Sequence, residues 1–343
     1  MPKVLLTGGS GFIATHILEL LLSKGYEVVT TVRTEAKAKI LRDAHPGAPL
    51  TVAIVEDVAQ DGAFDAVLQK EGSGLDYIQH TASPFHFKFT DPKTEILDPA
   101  IKGTTSILVA AKKYSPGVKR VVVTSSFAAI LQADRLTDAS KTWSEADWNP
   151  STYEDGLTGP PGTTYRVSKT LAEKAAWEFQ EKEKPGWDLA TINPPLVFGP
   201  VVPHLASLAD INTSNGNMVA LIVGRWKPEL PATGVHLWVD VRDVAKAHVE
   251  AMERADASNS RFFVTAGHFS NAEIVPIVRK NFPQLEDKLP APGTPGGDYP
   301  GGSRENVYGY DNSKASKVLG IDWIPLETSV KDTIQSLLNV GAK

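Results

Sequence analysis

The sequence predicts an α/β protein, a doubly wound parallel sheet with a smaller C-terminal lobe. Three observations predict it. A short apolar run, Val4-Leu5-Leu6, enters a glycine-rich turn at the very start of the chain. A second, β-branched strand, Tyr26–Val32, follows after one amphipathic segment. Strand-like and helix-like segments then alternate as far as about residue 193, a pattern that calls for parallel strands with helices on both faces.

The first strand runs into Thr7-Gly8-Gly9-Ser10-Gly11-Phe12-Ile13-Ala14-Thr15 and opens into Phe12–Lys24, which has helical apolar spacing. A strand–turn–helix of this kind is where dinucleotides place their pyrophosphate. Glycine lets the backbone turn tightly and brings N–H groups near the phosphate oxygens. The helix start adds unpaired donors and about half a positive charge. Gly8, Ser10, Gly11, Phe12 and Ile13 are therefore candidate cofactor contacts. The spacing is Gly8-x-x-Gly11-x-x-Ala14, and alanine in the third place is small enough to keep helix against strand. A Rossmann-like unit follows from this.

The end of the second strand selects the cofactor. An NAD-selecting fold carries Asp or Glu there to bond the ribose 2′-hydroxyl. This chain has Arg33, with Lys37 one helical turn on and Glu35 between them, expected to point away. An arginine fork grips a 2′-phosphate with two charge-assisted bonds, and a lysine adds a point charge. A carboxylate would repel it. The cofactor reads as NADP(H).

Further strands are expected at Thr51–Val55, Asp76–His80, Val118–Thr124 and Leu189–Asn193, with helices at Ala63–Gln69, Lys93–Tyr114 and Thr164–Lys184. Ligands of such sheets sit beyond the carboxyl ends of the strands. That rule adds Asp57 and Val58, then Thr81, Ala82 and Ser83, then Thr124, and finally Pro194 and Val197. Past Pro195 the alternation stops, and stretches rich in Pro, Gly and Asn surround a helix expected at Met218–Val223. Leu237–Asp240 and Val241–Met252 read as a strand and helix returning to the sheet. Leu289–Ser303 should be a loop, and helices near Asn312–Leu319 and Leu326–Leu338 close the chain. The expected division is a cofactor domain of residues 1–194 plus about 237–265, and a substrate lobe of about 195–236 and 266–343.

Composition narrows the function classes. At 343 residues the chain can bury a large core. Its net charge of −5 and lack of a basic run argue against nucleic acid. No cysteine means no disulfide, thiolate zinc site or thiol nucleophile, which fits the cytoplasm. No stretch nears the roughly eighteen apolar residues that span a bilayer, and the first core strand begins too early for a signal peptide. The eight histidines show no i, i+4 ligand pair, so no metal is expected and His80 and His86 read as individual side chains.

The reactive groups stand out against that background. Tyr165 and Lys169 are i, i+4 and share one helix face. A nearby ammonium favours phenolate and should lower the phenol pKa from its usual value of about 10. In carbonyl reduction hydride reaches carbon while a proton must reach oxygen. Tyr165 would supply that proton, and a serine past the fifth strand, where Ser125 and Ser126 stand together, would hold the oxygen. Lys169 would also bond the nicotinamide ribose. Tyr-x-x-x-Lys alone is weak, and the chain has a second copy, Tyr310 and Lys314. Only Tyr165 opens a helix between two sheet strands with a strand-end serine before it.

These residues carry a resemblance. The chain resembles the extended short-chain dehydrogenase/reductases, and is especially similar to fungal carbonyl reductases of the methylglyoxal/isovaleraldehyde reductase type, relatives of plant dihydroflavonol and cinnamoyl-CoA reductases. Besides Thr7–Ala14 and Tyr165–Lys169, the matching stretches are His80–Pro84, Val121–Ser126, Ala172–Trp177, Asn193-Pro194, Phe198–Pro200 and Val239–Ala245. The resemblance implies an NADPH-dependent reductase of aldehydes and ketones with Ser126, Tyr165 and Lys169 as its catalytic residues. It is the resemblance that singles out Ser126 over Ser125. Relatives often carry tyrosine after that serine and near position 196, where this chain has Phe127 and Leu196.

Expected pocket walls are Phe85, Phe127, Leu131, Leu196, Met218 and Trp226. An apolar slot with one polar end suits aromatic or branched aliphatic carbonyl compounds, diketones among them. The expected partner is such a small molecule, with the protein a monomer or homodimer. A nucleotide-sugar epimerase or dehydratase on the same scaffold would need basic side chains for a second diphosphate, and Arg225, Lys227 and Arg261 are scattered. A non-catalytic NADP(H)-sensing regulator would not need the serine, tyrosine and lysine together.

Overall fold

The structure, a computed structural model, describes residues 1–83, 89–202 and 211–341. Its strands are β1 (Lys3–Thr7), β2 (Glu27–Val32), β3 (Leu50–Ile54), β4 (Tyr77–His80), β5 (Arg120–Thr124) and β6 (Thr142–Trp143). They continue with β7 (Asp188–Asn193), β8 (Leu196–Phe198), β9 (Leu237–Asp240), β10 (Ser260–Phe263), β11 (Gly267–His268) and β12 (Gly309–Tyr310). The helices are α1 (Phe12–Ser23), α2 (Glu35–Ala44), α3 (Asp65–Glu71), α4 (Asp98–Tyr114), α5 (Tyr153–Thr158) and α6 (Pro161–Glu183). After them come α7 (Thr213–Ile222), α8 (Val241–Glu253), α9 (Asn271–Asn281), α10 (Ser313–Leu319) and α11 (Leu326–Asn339).

Val, Ile and Leu fill β1, β2, β5 and β7 because a parallel strand is covered on both faces. Seven strands form one parallel sheet in the order β10-β7-β5-β4-β1-β2-β3. Chain order reverses between β1 and β4, the switch point at which such sheets bind ligands. One face is sealed by α1 and α8 over Leu6, Val28, Val122 and Ile192, the other by the cluster of Leu5, Val29, Ile78, Val121 and Leu189 with Ile107 and Leu108 of α4.

The region after Pro195 differs from the sequence expectation in its strands and in one further helix, α9. Leu237–Asp240 does not return to the main sheet. It lies between β8 and β11 in a separate three-stranded sheet. The strand that joins the main sheet is β10, paired in parallel with β7. Four residues long, β10 is brief, and its Ser260-Arg261 start masks the apolar signal of Phe262-Phe263. Another core, including Phe198, Met218, Leu221, Trp226, Trp238 and Leu337, collects α7, α9 and α11. Among the described residues no helix is long and apolar enough to cross a membrane.

A fourth cluster corrects the expected pocket. Phe127 is 1% exposed, its ring stacked 5.0 Å from that of Phe263 and set against Trp143 and Tyr308. Leu131 is buried in the same cluster, and Met218 and Trp226 belong to the C-terminal core. Leu196, half-buried on β8, packs against that C-terminal core, and Phe85 lies outside the described residues. An aromatic residue after a strand end stays inside when neighbouring elements supply rings to meet it. Phe127→Ala should therefore lower unfolding free energy by about 3–5 kcal/mol in urea titration; unchanged stability with an altered substrate profile would return Phe127 to the pocket wall.

Candidate active site

A cleft of about 340 Å³ runs along the carboxyl ends of β1, β2 and β4. Gly8, Ser10, Gly11 and Phe12 form its floor, Arg33 and Lys37 one end, and Val58, Thr81, Ala82 and Ser83 a side wall. The turn leaves no space for side chains. Gly8 has φ +73°, and a Cβ there would sit 3.1 Å from Ala82 Cα. A Cβ on Gly9 would fall 2.0 Å from Thr30 Oγ1. Helix α1 then starts at Gly11 with no side-chain cap and no acid in its first turn. Its first N–H groups are left for an anion. That cradle fits the pyrophosphate of a dinucleotide.

The opposite end of the cleft fits a second phosphate. The Glu35 carboxylate is turned to Arg42. Among the described residues no carboxylate pairs with Arg33 or Lys37, although both are exposed. Ile40, Leu41, Val55 and Val58 add an apolar wall beside them. Of these the sequence reading found only Val58. Ile40 is 37% exposed on α2, and an apolar side chain facing water next to two unpaired cations is the signal that was missed. Val201, Val202 and Asn212 also line the cleft, and nothing in their local sequence marks them.

The hydroxyl of Thr7 fixes the switch point. It accepts the N–H groups of Thr81 and Ala82, each at 3.1 Å, and meets His80 Nδ1 at 2.9 Å. With two donors on its oxygen, Thr7 gives its proton to Nδ1, which assigns the Nε2–H tautomer. Burial pulls the His80 pKa down to about 3, so the ring is neutral.

Ser126 follows β5 and caps a short 3₁₀ turn, its Oγ accepting the N–H of Ala128 at 3.1 Å. The same hydroxyl stands near enough to the Tyr165 phenol to pull its pKa down. Lys169, one turn along α6, places Nζ 5.8 Å from the Tyr165 ring centre and donates to Ser83 Oγ at 2.8 Å. Lys169 thus reaches Ser83 at the edge of the cleft, with the Tyr165 ring beside its ammonium. The electrostatics differ from the sequence expectation. Burial raises the phenol pKa, and the opposing influence is the Ser126 hydroxyl rather than the Lys169 charge. Burial likewise lowers Lys169 to about 8, because desolvation disfavours the charged form of either group.

Other expected contacts sit elsewhere. Thr124 directs its hydroxyl to His248 Nε2 at 2.9 Å, while His248 Nδ1 meets Gln79 Oε1 at 2.9 Å. Asp57 is exposed and accepts the N–H of Ala59 at 2.9 Å. The Pro194 carbonyl takes the Phe127 N–H, the Val197 carbonyl takes Asn212 Nδ2, and Ile13 packs against the core. Tyr310 sits on β12 beside Trp143, and Lys314 lies 5.2 Å over the Phe262 ring. Among the described residues no strand-end serine joins that second pair.

Comparison with known proteins finds relatives over nearly the whole chain. Residues 4–265 match the NAD dependent epimerase/dehydratase family. A ketoreductase of Aspergillus niger, azaE, is 47% identical over 340 residues, 98% of this chain and 97% of its own. The NADPH-dependent methylglyoxal reductase GRE2 of Saccharomyces cerevisiae is 36% identical over 342 residues, 98% of each chain. The crystal structure of yeast methylglyoxal/isovaleraldehyde reductase Gre2 complexed with NADPH superposes with a TM-score of 0.90 at 35% identity, covering 99% of this chain and 100% of that one.

The Lys169 shift has a measurable sign. Folding lowers its pKa from 10.5 to about 8. Below about pH 8 both states hold the proton and the folded state bears the full burial cost. Between about pH 8 and 10 the unfolded chain binds more protons, so stability rises with pH. Relative to Lys169→Met, the cofactor-free protein should gain urea stability from about pH 7.5 to 9.5. A constant difference would contradict the burial.

Proposed function

The chain belongs to the extended short-chain dehydrogenase/reductases, within the NAD dependent epimerase/dehydratase family, as an NADPH-dependent oxidoreductase, and from that premise we propose that it reduces aldehydes and ketones bearing apolar aromatic or branched aliphatic groups, diketones among them, to alcohols, with Tyr165 as proton donor. The observation that carries this reading is the Lys169 ammonium 5.8 Å from the Tyr165 ring centre and 2.8 Å from Ser83 at the cleft edge, with the Ser126 hydroxyl acting on the phenol.

The residues divide the work. Gly8–Ile13 would hold the pyrophosphate, and Arg33 with Lys37 the 2′-phosphate. NADPH, when bound, supplies the hydride. Ser126 holds the substrate carbonyl oxygen in line with the phenol, and Tyr165 passes its proton to that oxygen as the alcohol forms. A raised pKa suits this role, since the phenol stays protonated until negative charge develops on the substrate oxygen. The Lys169 ammonium and the Ser126 hydroxyl then stabilise the phenolate. Lys169 exchanges its bond to Ser83 for the nicotinamide ribose.

Two of the three basic side chains that the nucleotide-sugar alternative would draw on are already engaged among the described residues. Arg261 is consumed by an ion pair with Glu173, and Lys227 donates to the Asp287 carbonyl. A non-catalytic sensor would have no use for the phenol and ammonium held beside a strand-end serine.

An assay panel of small aldehydes, diketones and aryl ketones, followed by NADPH absorbance near about 340 nm, defines the substrate class. Tyr165→Phe should lower kcat by about two to four orders of magnitude, and near-normal turnover removes Tyr165 from the chemistry. Arg33→Ala should weaken NADPH binding at least about tenfold more than NADH binding; equal losses would refute the 2′-phosphate assignment.

A further inference from the structure

Glu173 lies on α6, one turn beyond Lys169, and its side chain is wholly buried. The reaction described above makes no use of it. Six donors nevertheless converge on its carboxylate, three on each oxygen. Oε1 accepts Thr191 Oγ1 at 3.0 Å, Arg261 Nε at 2.6 Å and Trp177 Nε1 at 3.3 Å. Oε2 accepts the Ser125 hydroxyl, Asn193 Nδ2 at 2.7 Å and Arg261 Nη2 at 3.5 Å. Arg261 is fixed in turn. Its guanidinium lies 3.6 Å over the Trp148 ring and donates to the carbonyls of Glu145 and Asp147.

Burying an ion pair is seldom the most stable way to fill a core, because desolvation offsets much of the attraction. The sources of the donors suggest what this pair supplies instead. Ser125 immediately precedes Ser126. Asn193 ends β7, and its Nδ2 also donates to the Ser126 carbonyl at 3.3 Å. The next residue, Pro194, accepts the N–H of Phe127 at 2.8 Å. Glu173 itself rides on the helix that carries Tyr165 and Lys169. One carboxylate therefore ties the chain leaving β5 to β7 and α6, and the groups proposed to react stand just past β5 and on α6.

We propose that Glu173, oriented by Arg261, is a positioning residue that sets the separation between the Ser126 hydroxyl and the Tyr165 phenol. It touches neither substrate nor cofactor. The proposal rests on the reading of Ser126 and Tyr165 as the reacting pair. A displacement of about 1 Å between reacting groups can cost about a hundredfold in rate, so a rigid link behind the site has a function that packing alone lacks.

The test uses the holoenzyme with Ser125→Ala, Glu173→Gln and Tyr165→Phe. Ser125→Ala removes one donor and no charge. It should fold, bind NADPH within about twofold of wild type and lose about three- to tenfold in kcat. Glu173→Gln should lose about ten- to a hundredfold. In both, the alkaline limb of kcat/KM should move to higher pH, because a more distant Ser126 hydroxyl no longer offsets the burial of the phenol. If Glu173→Gln does not fold, Ser125→Ala decides alone. Wild-type kcat in Ser125→Ala overturns the proposal. So does a kcat loss that matches the loss of folded protein by thermal melt, with the pH limb unmoved. Full turnover in Tyr165→Phe instead sinks the underlying reaction, whereas an inactive Tyr165→Phe beside an unimpaired Ser125→Ala sinks only the positioning role.

Discussion

The Thr7 hydroxyl is the contact on which the rest of the site depends. It is buried, and it joins the end of β1 to the chain leaving β4, where the strand order reverses. Ala82 is thereby pressed so near Gly8 that no Cβ fits comfortably between them. The cleft floor and its side wall are consequently one rigid piece. Ser83, which receives the Lys169 ammonium, is the next residue in that piece. Cofactor cradle and reactive lysine are linked through four consecutive positions of one strand end.

Burial then decides the charge states. His80 and His248 are held neutral by desolvation, and each finds one hydroxyl partner, Thr7 and Thr124. Tyr165 stays a phenol for the same reason. The sheet end is thus an apolar setting with few full charges, where electrostatic interactions are little screened by solvent. Apart from the Lys169 ammonium beside the phenol, the charges that remain are set away from it. Arg33 and Lys37 face water at one end of the cleft, and Glu173 with Arg261 is locked behind the other.

Much of this was legible in the sequence because it is local. The turn after β1, the cations after β2 and the Tyr165–Lys169 pair are all set by neighbours within a few residues, and NADPH dependence of the relatives agrees with the cofactor read from Arg33. What was illegible depends on which strands become neighbours. Phe127 looked like a pocket wall, yet Phe263 arrives from β10 to stack on it, and β10 itself was not foreseen. Leu237–Asp240 had the right pattern for a strand but a different sheet to join. Glu173 was seen only as part of a family-like stretch. Its role depends on Ser125, Thr191, Asn193 and Arg261, which are distant in sequence and meet only in the folded sheet.

The central claim is that a dinucleotide lying on the Gly8–Phe12 turn delivers its nicotinamide to the phenol, the ammonium and the Ser126 hydroxyl. A crystal structure of the protein with NADPH tests it most directly. The account predicts the 2′-phosphate between Arg33 and Lys37, Lys169 on the ribose, and the nicotinamide C4 facing the space in front of Tyr165. A nicotinamide ring turned away from Tyr165, or seated outside this cleft, would contradict it.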